Sequence, residues 1–476
     1  MRQLNGIDAD MIYGETAASH MHILGLLILD PSTAPGDFGV KDWRHLVASH
    51  LEHLPPLRER LVRVPFGLDR PYWVDDPDLD LDNHIHERAL PAPGGARELA
   101  ALVGELAGTK LDLDVPLWEM WFIEGLEGGR VAVVTKVHHA CIDGVAGSMM
   151  LGRLFTTHPE EPPAASNTEK ERDIAPLPSE IELLTRSLGS LLDTPMRVAR
   201  AARETASSVG KLIRLRGSRT RDSTALPFQA PPSSLNQPIT SRRNFAFCCV
   251  PLEQVKQIKR AFGVTVNDVV VAMCGGALRA YLEHRDELPD ASLLAAIPVS
   301  VRSEDQAASF GNSVSGMFVT LATDLKDPLE RLHAVSRGTR NAKDLYAVGI
   351  ENAVMEWASV PRPIAFSLLV RLLSWLDLSG RLPPIFNLLI SNVPGPPMPI
   401  YAAGAQLLAC YPIGPLMDRI ALNVSVLSCS GEVGFGFLSC PDVVEDPWAI
   451  ADRIPHALEE LVAAAQMDER ESRGYR

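Results

Sequence analysis

The chain of 476 residues lacks several features that mark particular protein classes. Its seven cysteines form no CxxC pair and no zinc-ligand spacing, so we expect neither a disulfide framework nor a metal site built from them. A net charge of −14 argues against nucleic acid as the main partner. The first ten residues lack a basic segment followed by an apolar one, which favours a cytoplasmic protein. The length and the 46% apolar content indicate a globular protein of two domains.

Long apolar runs of the kind that span a membrane are also missing. The longest stretch without charge, residues 382–417, contains eight prolines, and these are incompatible with a spanning helix. We interpret it as a proline-stiffened loop region with two possible roles. It either lines an apolar ligand channel or forms a buried connection inside a large core.

Strand and helix patterns alternate along the chain, which predicts an α/β fold with mixed sheets. We divide the chain into an N-terminal lobe (1–160), a linker (161–243) and a C-terminal lobe (244–476). The predicted strands are 21–29, 130–137, 292–301, 316–321, 420–429 and 432–439. The predicted helices are 41–54, 97–106, 145–155, 179–192, 263–282, 364–378 and 447–465.

The linker contains a basic segment, residues 197–221, in which eight arginine and lysine residues stand against the single acidic residue Glu204. Apolar residues between the basic ones give the segment an amphipathic character. Such a segment can bind an anionic membrane surface, or it can be an interdomain helix with a solvated basic face. The pattern leaves both interpretations open.

The segment His138-His139-Ala140-Cys141-Ile142-Asp143-Gly144 follows the predicted strand 130–137. Side chains alternate along a strand, so the two histidines cannot both face one cavity. A metal site is disfavoured because adjacent histidines on a strand point apart and because no third ligand cluster is evident. Two interpretations stay open at this point: buried structural histidines, or one imidazole that removes a proton from a hydroxyl.

This segment resembles the HHxxxDG signature of coenzyme A-dependent acyltransferases of the chloramphenicol acetyltransferase type and of peptide-synthetase condensation domains. The chain is similar in more places to one branch, the bacterial wax ester synthase/acyl-CoA:diacylglycerol acyltransferases, which include the actinobacterial triacylglycerol synthases. Further matches occur in the family's order: Leu4 to Ile12, Met21-His22, Pro116-Leu117-Trp118-Glu119, Asn267-Asp268, Pro298 to Arg302 with Gly311-Asn312, and Ser391 to Pro396.

The resemblance implies two chloramphenicol acetyltransferase-like lobes, each a mixed sheet flanked by helices, with an active-site tunnel between them. It implies that the second histidine, His139, is the catalytic base and that His138 supports it. Acyl-CoA is then a substrate, and no cofactor or metal is expected. It further implies that Asp143, next to the turn at Gly144, pairs with Arg302 of the second lobe and shapes the site.

The other matched segments supply weaker candidates. Ser391 and Asn392 bring polar groups to an apolar stretch and are candidates for substrate contact. Asn267 either donates a hydrogen bond near the reacting carbonyl or belongs to a helix N-terminus that Thr265 caps and Asp268 completes. We expect Trp118 and Cys141 to be packing residues.

The resemblance implies transfer of a long-chain acyl group to diacylglycerol, or to a fatty alcohol, by a protein at the inner face of the membrane or at lipid inclusions. The basic segment 197–221 and the apolar helix 364–378 are the candidate membrane surfaces. The alternatives are a condensation-type enzyme that uses a carrier-protein thioester and a non-catalytic lipid-binding protein of lipid droplets. Chain length, acceptor preference and oligomeric state are not predicted.

Overall fold

Three β-sheets, two of them six-stranded, organise the part of the chain that this computed structural model describes. That part comprises residues 1–159, 176–187, 229–300, 314–346 and 383–474, with isolated positions between 196 and 207. The strands are, in chain order, β1 (Arg2–Gln3), β2 (His22–Asp30), β3 (Glu59–Val62), β4 (Tyr72–Asp75), β5 (Ile85–Ala89), β6 (Trp118–Glu124), β7 (Val131–His138), β8 (Asn244–Pro251), β9 (Leu294–Ser300), β10 (Val314–Thr320), β11 (Leu388–Pro394), β12 (Tyr401–Ala402), β13 (Ala405–Ile413), β14 (Leu422–Cys429) and β15 (Glu432–Ser439). The α-helices are α1 (Gly6–Tyr13), α2 (Val40–His50), α3 (Pro55–Arg58), α4 (Ala96–Gly108), α5 (Gly144–Leu154), α6 (Leu252–Phe262), α7 (Val266–His284), α8 (Pro328–Tyr346), α9 (Trp448–Ala451) and α10 (Arg453–Gly474), and residues 180–187 are also helical.

The first sheet, in the order β12-β13-β2-β7-β6-β5, carries the histidine motif. Strand β7 lies between β2 and β6 and is antiparallel to both. All of its residues are buried, because its alternate side chains enter two different cores: Val133 faces one and Val134 the other. The predicted strand is confirmed, and it ends at His138.

The second sheet has the order β10-β9-β11-β14-β15-β8. Strand β11 is parallel to β9 and β14, whereas the other pairings are antiparallel, so the predicted α/β class with mixed sheets is confirmed. Helices α7 and α10 pack on this sheet and share its core. The small third sheet, β1-β4-β3, holds the N-terminus against the first lobe.

The helix predicted over 263–282 corresponds to α7, but its predicted start lies in the turn that follows α6. Helix α6 ends at Gly263, which adopts a left-handed conformation with φ of 62°. Helix α7 starts three residues later, at Val266, behind a capping box formed by Thr265 and Asp268. The capping prediction is confirmed, but the predicted helix starts too early, because Gly263 ends the preceding helix and does not begin α7.

One segment crosses from the second lobe to the first. Strand β12 and strand β13 fall in the predicted C-terminal lobe (244–476), yet β13 pairs along β2, from Gln406 opposite Asp30 to Ile413 opposite Leu24. The interpretation of residues 382–417 as a loop region is therefore wrong, since the stretch supplies three strands to two sheets. Its prolines are tolerated at or near strand ends, such as Pro394 at the end of β11.

Strand β13 also joins the two large sheets. A Cβ atom on Gly434 of β15 would lie 2.4 Å from the carbonyl oxygen of Cys410, and one on Gly436 would lie 2.1 Å from that of Pro412. The two backbones can approach this closely only because these β15 positions lack side chains. The lobes are therefore joined by backbone packing as well as by chain connectivity.

Much of the predicted linker (161–243) and the apolar helix 364–378 lie outside the described residues, as does almost all of the basic segment 197–221. The end of the linker, from residue 229, is part of the folded structure. Asn236 is buried and donates hydrogen bonds to the backbone of Phe386 and Arg419, and Arg243 donates to the carbonyl of Ala18.

Within the described ranges, no single helix has both the length and the apolar composition of a membrane span. Helices α6 and α7 pass that test only as a pair, and they are bent by 105° relative to each other. Most residues of α7 belong to the core of the second lobe.

Candidate functional site

The two motif histidines have different environments at the end of β7. His138, the last residue of the strand, is fully buried. His139 follows in a turn and is partly exposed. Its backbone N–H donates to the carbonyl of Met21 at 2.7 Å, whereas that of His138 donates to the carbonyl of Leu117 on the opposite side at 2.9 Å. Main-chain hydrogen bonds to two different neighbours therefore fix the motif at the end of β7, an interior strand of the first sheet.

A buried carboxylate that was not predicted from the sequence lies beside the motif. The side chain of Glu15 is 2% exposed, and its Oε1 atom lies 3.3 Å from Nε2 of His138 and 3.5 Å from Nε2 of His22. Its Oε2 atom lies 2.8 Å from Nζ of Lys110. His22 and His138 are direct partners in the pairing of β2 with β7, so the strand register itself brings both rings to Glu15.

The surroundings of this cluster shift the pKa values of Glu15 and His22. Burial raises the pKa of Glu15, but its contacts with His138, His22 and Lys110 outweigh burial and bring that pKa well below its usual value. Burial is also the largest effect on His22, whose pKa it lowers to about 3. At neutral pH the cluster thus contains an ionised Glu15, a neutral His22 and the ammonium group of Lys110.

Asp143 and Gly144 mark the start of α5, where the two lobes meet. Asp143 is fully buried and caps the helix, because its Oδ1 atom accepts the backbone N–H of Ala146 at 2.8 Å. A Cβ atom on Gly144 would lie 2.9 Å from Cγ2 of Val393 on β11, so the glycine permits this close packing. Arg302, the predicted partner of Asp143, lies outside the described residues.

Two of the three candidate substrate-contact residues lie next to each other. The Nδ2 atom of Asn392 donates to Oδ1 of Asn267 at 3.3 Å, joining β11 to the first turn of α7. Both residues are partly exposed. Ser391, the third candidate, is the neighbouring residue on β11 and alternation directs it to the other face of the sheet. All three lie in regular structure and not in a loop.

Trp118 and Cys141 have the environments of packing residues. Trp118 is fully buried, stacks on His84 with ring centroids 4.5 Å apart, and donates its indole N–H to the carbonyl of Leu57. Cys141 is buried, and burial raises the pKa of its thiol well above the usual value. A thiol held neutral in this way is a poor nucleophile.

Among the described residues, no group of three or more His, Cys, Asp or Glu side chains is arranged to hold a metal ion. The first lobe offers a partly exposed imidazole at the end of β7, and the second lobe offers a neutral amide pair next to Val393, which packs on Gly144. An imidazole can accept a proton from a hydroxyl near neutral pH, and amide N–H groups can stabilise a developing oxyanion.

Family models cover most of the chain. The wax ester synthase/diacylglycerol acyltransferase catalytic domain matches residues 4–270, and the C-terminal domain of the same family matches residues 310–462. A Mycobacterium tuberculosis H37Rv protein, provisionally named a diacylglycerol O-acyltransferase, is 36% identical over 471 residues, which are 97% of this chain and 90% of that protein. A probable diacylglycerol O-acyltransferase of the same strain is 33% identical, covering 96% of this chain and 98% of its own length.

Solved structures agree with the sequence matches. The wax ester synthase/diacylglycerol acyltransferase from Marinobacter aquaeolei VT8 covers 98% of this chain and 100% of its own, with a TM-score of 0.69 and 31% identity. The starter condensation domain of rhizomide synthetase covers 98% of this chain and 94% of its own, with a TM-score of 0.57 at 12% identity. The second similarity concerns the fold alone.

Proposed function

Because this chain belongs to the wax ester synthase/diacylglycerol acyltransferase family and is an acyltransferase, we propose that it transfers a long-chain acyl group from acyl-CoA to diacylglycerol. Fatty alcohols are the alternative acceptors in this proposal, and their products are wax esters. Acyl-CoA acts as a substrate, and the proposed reaction uses no cofactor and no metal. The observation that carries the proposal is the placement of His139, a partly exposed imidazole whose backbone is anchored to Met21 at the end of β7.

In the proposed mechanism the imidazole of His139 removes the proton of the acceptor hydroxyl. The oxygen attacks the thioester carbonyl carbon, forming a C–O bond and a tetrahedral oxyanion. The oxyanion collapses, the C–S bond breaks, and the coenzyme A thiolate takes the proton from the imidazolium. Direct transfer requires no nucleophilic serine or cysteine, and the buried, neutral thiol of Cys141 fits this scheme.

Asn267 is the proposed donor to the oxyanion. Its Oδ1 atom accepts the hydrogen bond from Asn392, so this bond engages the Asn267 oxygen and not its amide hydrogens. Those hydrogens can be donated to a carbonyl oxygen that gains charge in the transition state. Asn392 then fixes the orientation of the Asn267 amide.

We further propose that the enzyme works at the inner face of the cell membrane or at lipid inclusions, since its acceptors are lipids. The two surfaces predicted for this contact, 197–221 and 364–378, lie almost wholly outside the described residues. Co-sedimentation of the full chain with anionic vesicles, compared with a variant whose basic residues in 197–221 are changed to glutamine, measures this association.

The reaction is tested with purified protein, radiolabelled palmitoyl-CoA and one acceptor at a time: diacylglycerol, monoacylglycerol, hexadecanol or an amine. We expect ester products, and His139→Ala should lower kcat by ~10²- to 10⁴-fold, the usual contribution of a general base. His86→Ala is the matched control, because His86 is a partly exposed histidine on β5 of the same sheet.

Three results would contradict the proposal. Turnover of amines alone, or of a carrier-protein thioester but not palmitoyl-CoA, would indicate a condensation-type enzyme. Lipid binding without turnover by the wild-type protein would indicate a lipid-droplet protein. An unchanged rate for His139→Ala would remove the assignment of the base while leaving the acyltransferase activity intact.

A further inference from the structure

We infer that Glu15 is a positioning residue for His139, because its carboxylate holds the Met21 peptide and the His138 ring, the two groups that fix the backbone around that histidine. The inference deepens the function proposed above and rests on His139 as the base. Glu15 makes these contacts from the turn between α1 and β2, more than 120 residues away from the motif in sequence. It does not belong to the HHxxxDG segment.

The first group that Glu15 holds is a peptide of the first sheet. Its Oε1 atom accepts the backbone N–H of Met21 at 3.2 Å, and the carbonyl of Met21 accepts the backbone N–H of His139 at 2.7 Å. Glu15 and His139 therefore bind the same residue, one through its N–H and the other through its carbonyl. A shift of Met21 moves the anchor of His139 directly.

The second group is the ring of His138, which has a polar neighbour at each of its two nitrogens. The backbone N–H of Ala140 donates to Nδ1 at 3.0 Å, so Nδ1 carries no proton. The nitrogen that bears the ring proton is then Nε2, which faces Oε1 of Glu15 at 3.3 Å. His138 and Ala140 are the residues on either side of His139, so this ring closes the turn in which His139 lies.

Charge balance explains how a carboxylate can stay ionised in this place. Nζ of Lys110 lies 2.8 Å from Oε2 and compensates the charge from the partly exposed side of the cluster. The titratable and charged groups that face Glu15 come from β2, β7, the turn before β2 and the segment after α4: His22, His138, Lys136, His20 and Lys110. Only Lys110 among them touches the second carboxylate oxygen.

The contacts of Glu15 distinguish positioning from direct catalysis. Its carboxylate faces the buried His138, which has no route to substrate because the ring is fully buried between Ala140 and Glu15. The carboxylate acts on His139 through Met21 and His138. The expected consequence is a change of kcat with little change in the KM for acyl-CoA, because substrate binding uses other groups.

Two conservative variants distinguish the effect of the length of the Glu15 side chain from the effect of its charge. Glu15→Gln keeps the length of the side chain and one oxygen acceptor but loses the charge, and Lys110, whose side chain is 43% exposed, can turn toward water. Glu15→Asp keeps the charge but is one methylene shorter, so it cannot contact Met21, His138 and Lys110 together. We expect Glu15→Asp to lower kcat by ~10²-fold, because misplacement of a reacting group by about 1 Å costs about this factor. Glu15→Gln should lower kcat by less than ~10-fold.

Asp76→Asn is the matched control. Asp76 is also a buried carboxylate, with its side chain 4% exposed, Oδ1 3.6 Å from Arg60 and a backbone N–H donated by Asp78. It lies beside the small third sheet and away from the motif. We expect Asp76→Asn to lower the Tm by a few degrees, as the Glu15 variants do, with kcat within ~2-fold of the wild type.

Equal kcat values per folded molecule for Glu15→Asp, Glu15→Gln and Asp76→Asn would overturn the inference, because Glu15 would then be structural only. A lower kcat for Glu15→Gln than for Glu15→Asp would also overturn it, since charge and not reach would be the essential property. A rise in KM alone would place Glu15 in substrate binding and contradict the positioning role.

Modification by diethyl pyrocarbonate, followed at His139 by peptide mass spectrometry, reports on this imidazole without acyl transfer. We expect Glu15→Asp to change the rate of modification of His139 by at least ~3-fold while leaving His86 unchanged. If His139→Ala stays active, the proposed base is wrong, yet the modification rates still test the position of the ring. An unchanged rate in Glu15→Asp would overturn the inference whatever the base is.

Discussion

Two buried carboxylates, one in each lobe, are stabilised by different kinds of partner. Glu15 in the first lobe lies among imidazole rings and the ammonium group of Lys110. Asp268 in the second lobe is 3% exposed and accepts hydrogen bonds from the hydroxyls of Ser336 and Thr339, at 3.2 and 2.5 Å, and caps α7 together with Thr265. The first set of partners consists of ionisable side chains, and the second consists of hydroxyl groups.

The comparison extends to the neighbours of these groups. His138, held by Glu15, precedes His139, and Asp268 follows Asn267 in the chain. In each lobe one residue of a dipeptide is buried and fixed, and the other is partly exposed. The comparison predicts that one residue of each dipeptide anchors the backbone, whereas its neighbour is available for the proposed chemistry.

The largest effect on stability is expected from Asp268→Ala. The variant loses a helix cap, worth about 1 kcal/mol, and two hydroxyl hydrogen bonds to a carboxylate, so the free energy of unfolding should fall by about 3–4 kcal/mol. Urea unfolding measures it. The control is Glu283→Ala, which removes a 57% exposed partner of Arg279 from the same helix and should cost less than ~1 kcal/mol. Equal losses for both would mean that Asp268 is not a structural anchor.

The first-lobe cluster should respond to acid. The folded-state pKa of His22 is lowered to about 3, below its unfolded value of 6.5, so its contribution to stability is present above pH 6.5 and is lost as the pH falls toward 3. Between pH 7 and pH 5 this amounts to about 2 kcal/mol. Thermal unfolding of His22→Asn should be less sensitive to pH in this range than that of the wild type, whereas His45→Asn, at an exposed position, should keep the wild-type slope. Identical slopes would disprove the role of His22.

The smallest effect is expected from Thr339→Val, which keeps the shape of the side chain and removes one hydroxyl from Asp268. A hydrogen bond to a charged group is worth about 1.5 kcal/mol or somewhat more, and the loss should be the same at pH 5 and pH 7 because a hydroxyl does not titrate there. Denaturant unfolding at the two pH values measures it. A loss of unfolding free energy that is larger at pH 5 than at pH 7 would contradict the comparison, because the surroundings of Asp268 would then respond to acid as those of Glu15 do.

Local patterns allowed much of the fold to be predicted. The strand 130–137 and the hairpin 420–429 with 432–439 correspond to β7, β14 and β15 within two residues, because alternation and turn residues are local signals. The capping box of Thr265 and Asp268 was found for the same reason, since both of its members lie within one helical turn. The family was also predicted, and the comparisons confirm it.

The parts that could not be predicted depend on contacts between distant residues. Glu15 was missed because its partners Met21, His22, Lys110 and His138 converge only after β2 has paired with β7 in the observed register. A lone glutamate directly before the stretch from Thr16 to Leu29, which contains no Asp, Glu, Lys or Arg, was the available signal. Strand β13 was missed because its partner β2 is almost 400 residues away and Pro412 argued against a strand. The base role of His139 stays a prediction.

The return of β13 to the first sheet has a consequence for the synthesis of the protein. Until residue 413 has left the ribosome, β2 has no partner on one side, although its other partner, β7, has long been complete. An unpaired strand next to the histidine motif is a template for wrong pairing with other nascent chains. Completion of the first sheet beside the histidine motif therefore waits for almost the whole polypeptide, and truncated or stalled chains should depend on chaperones in the cell.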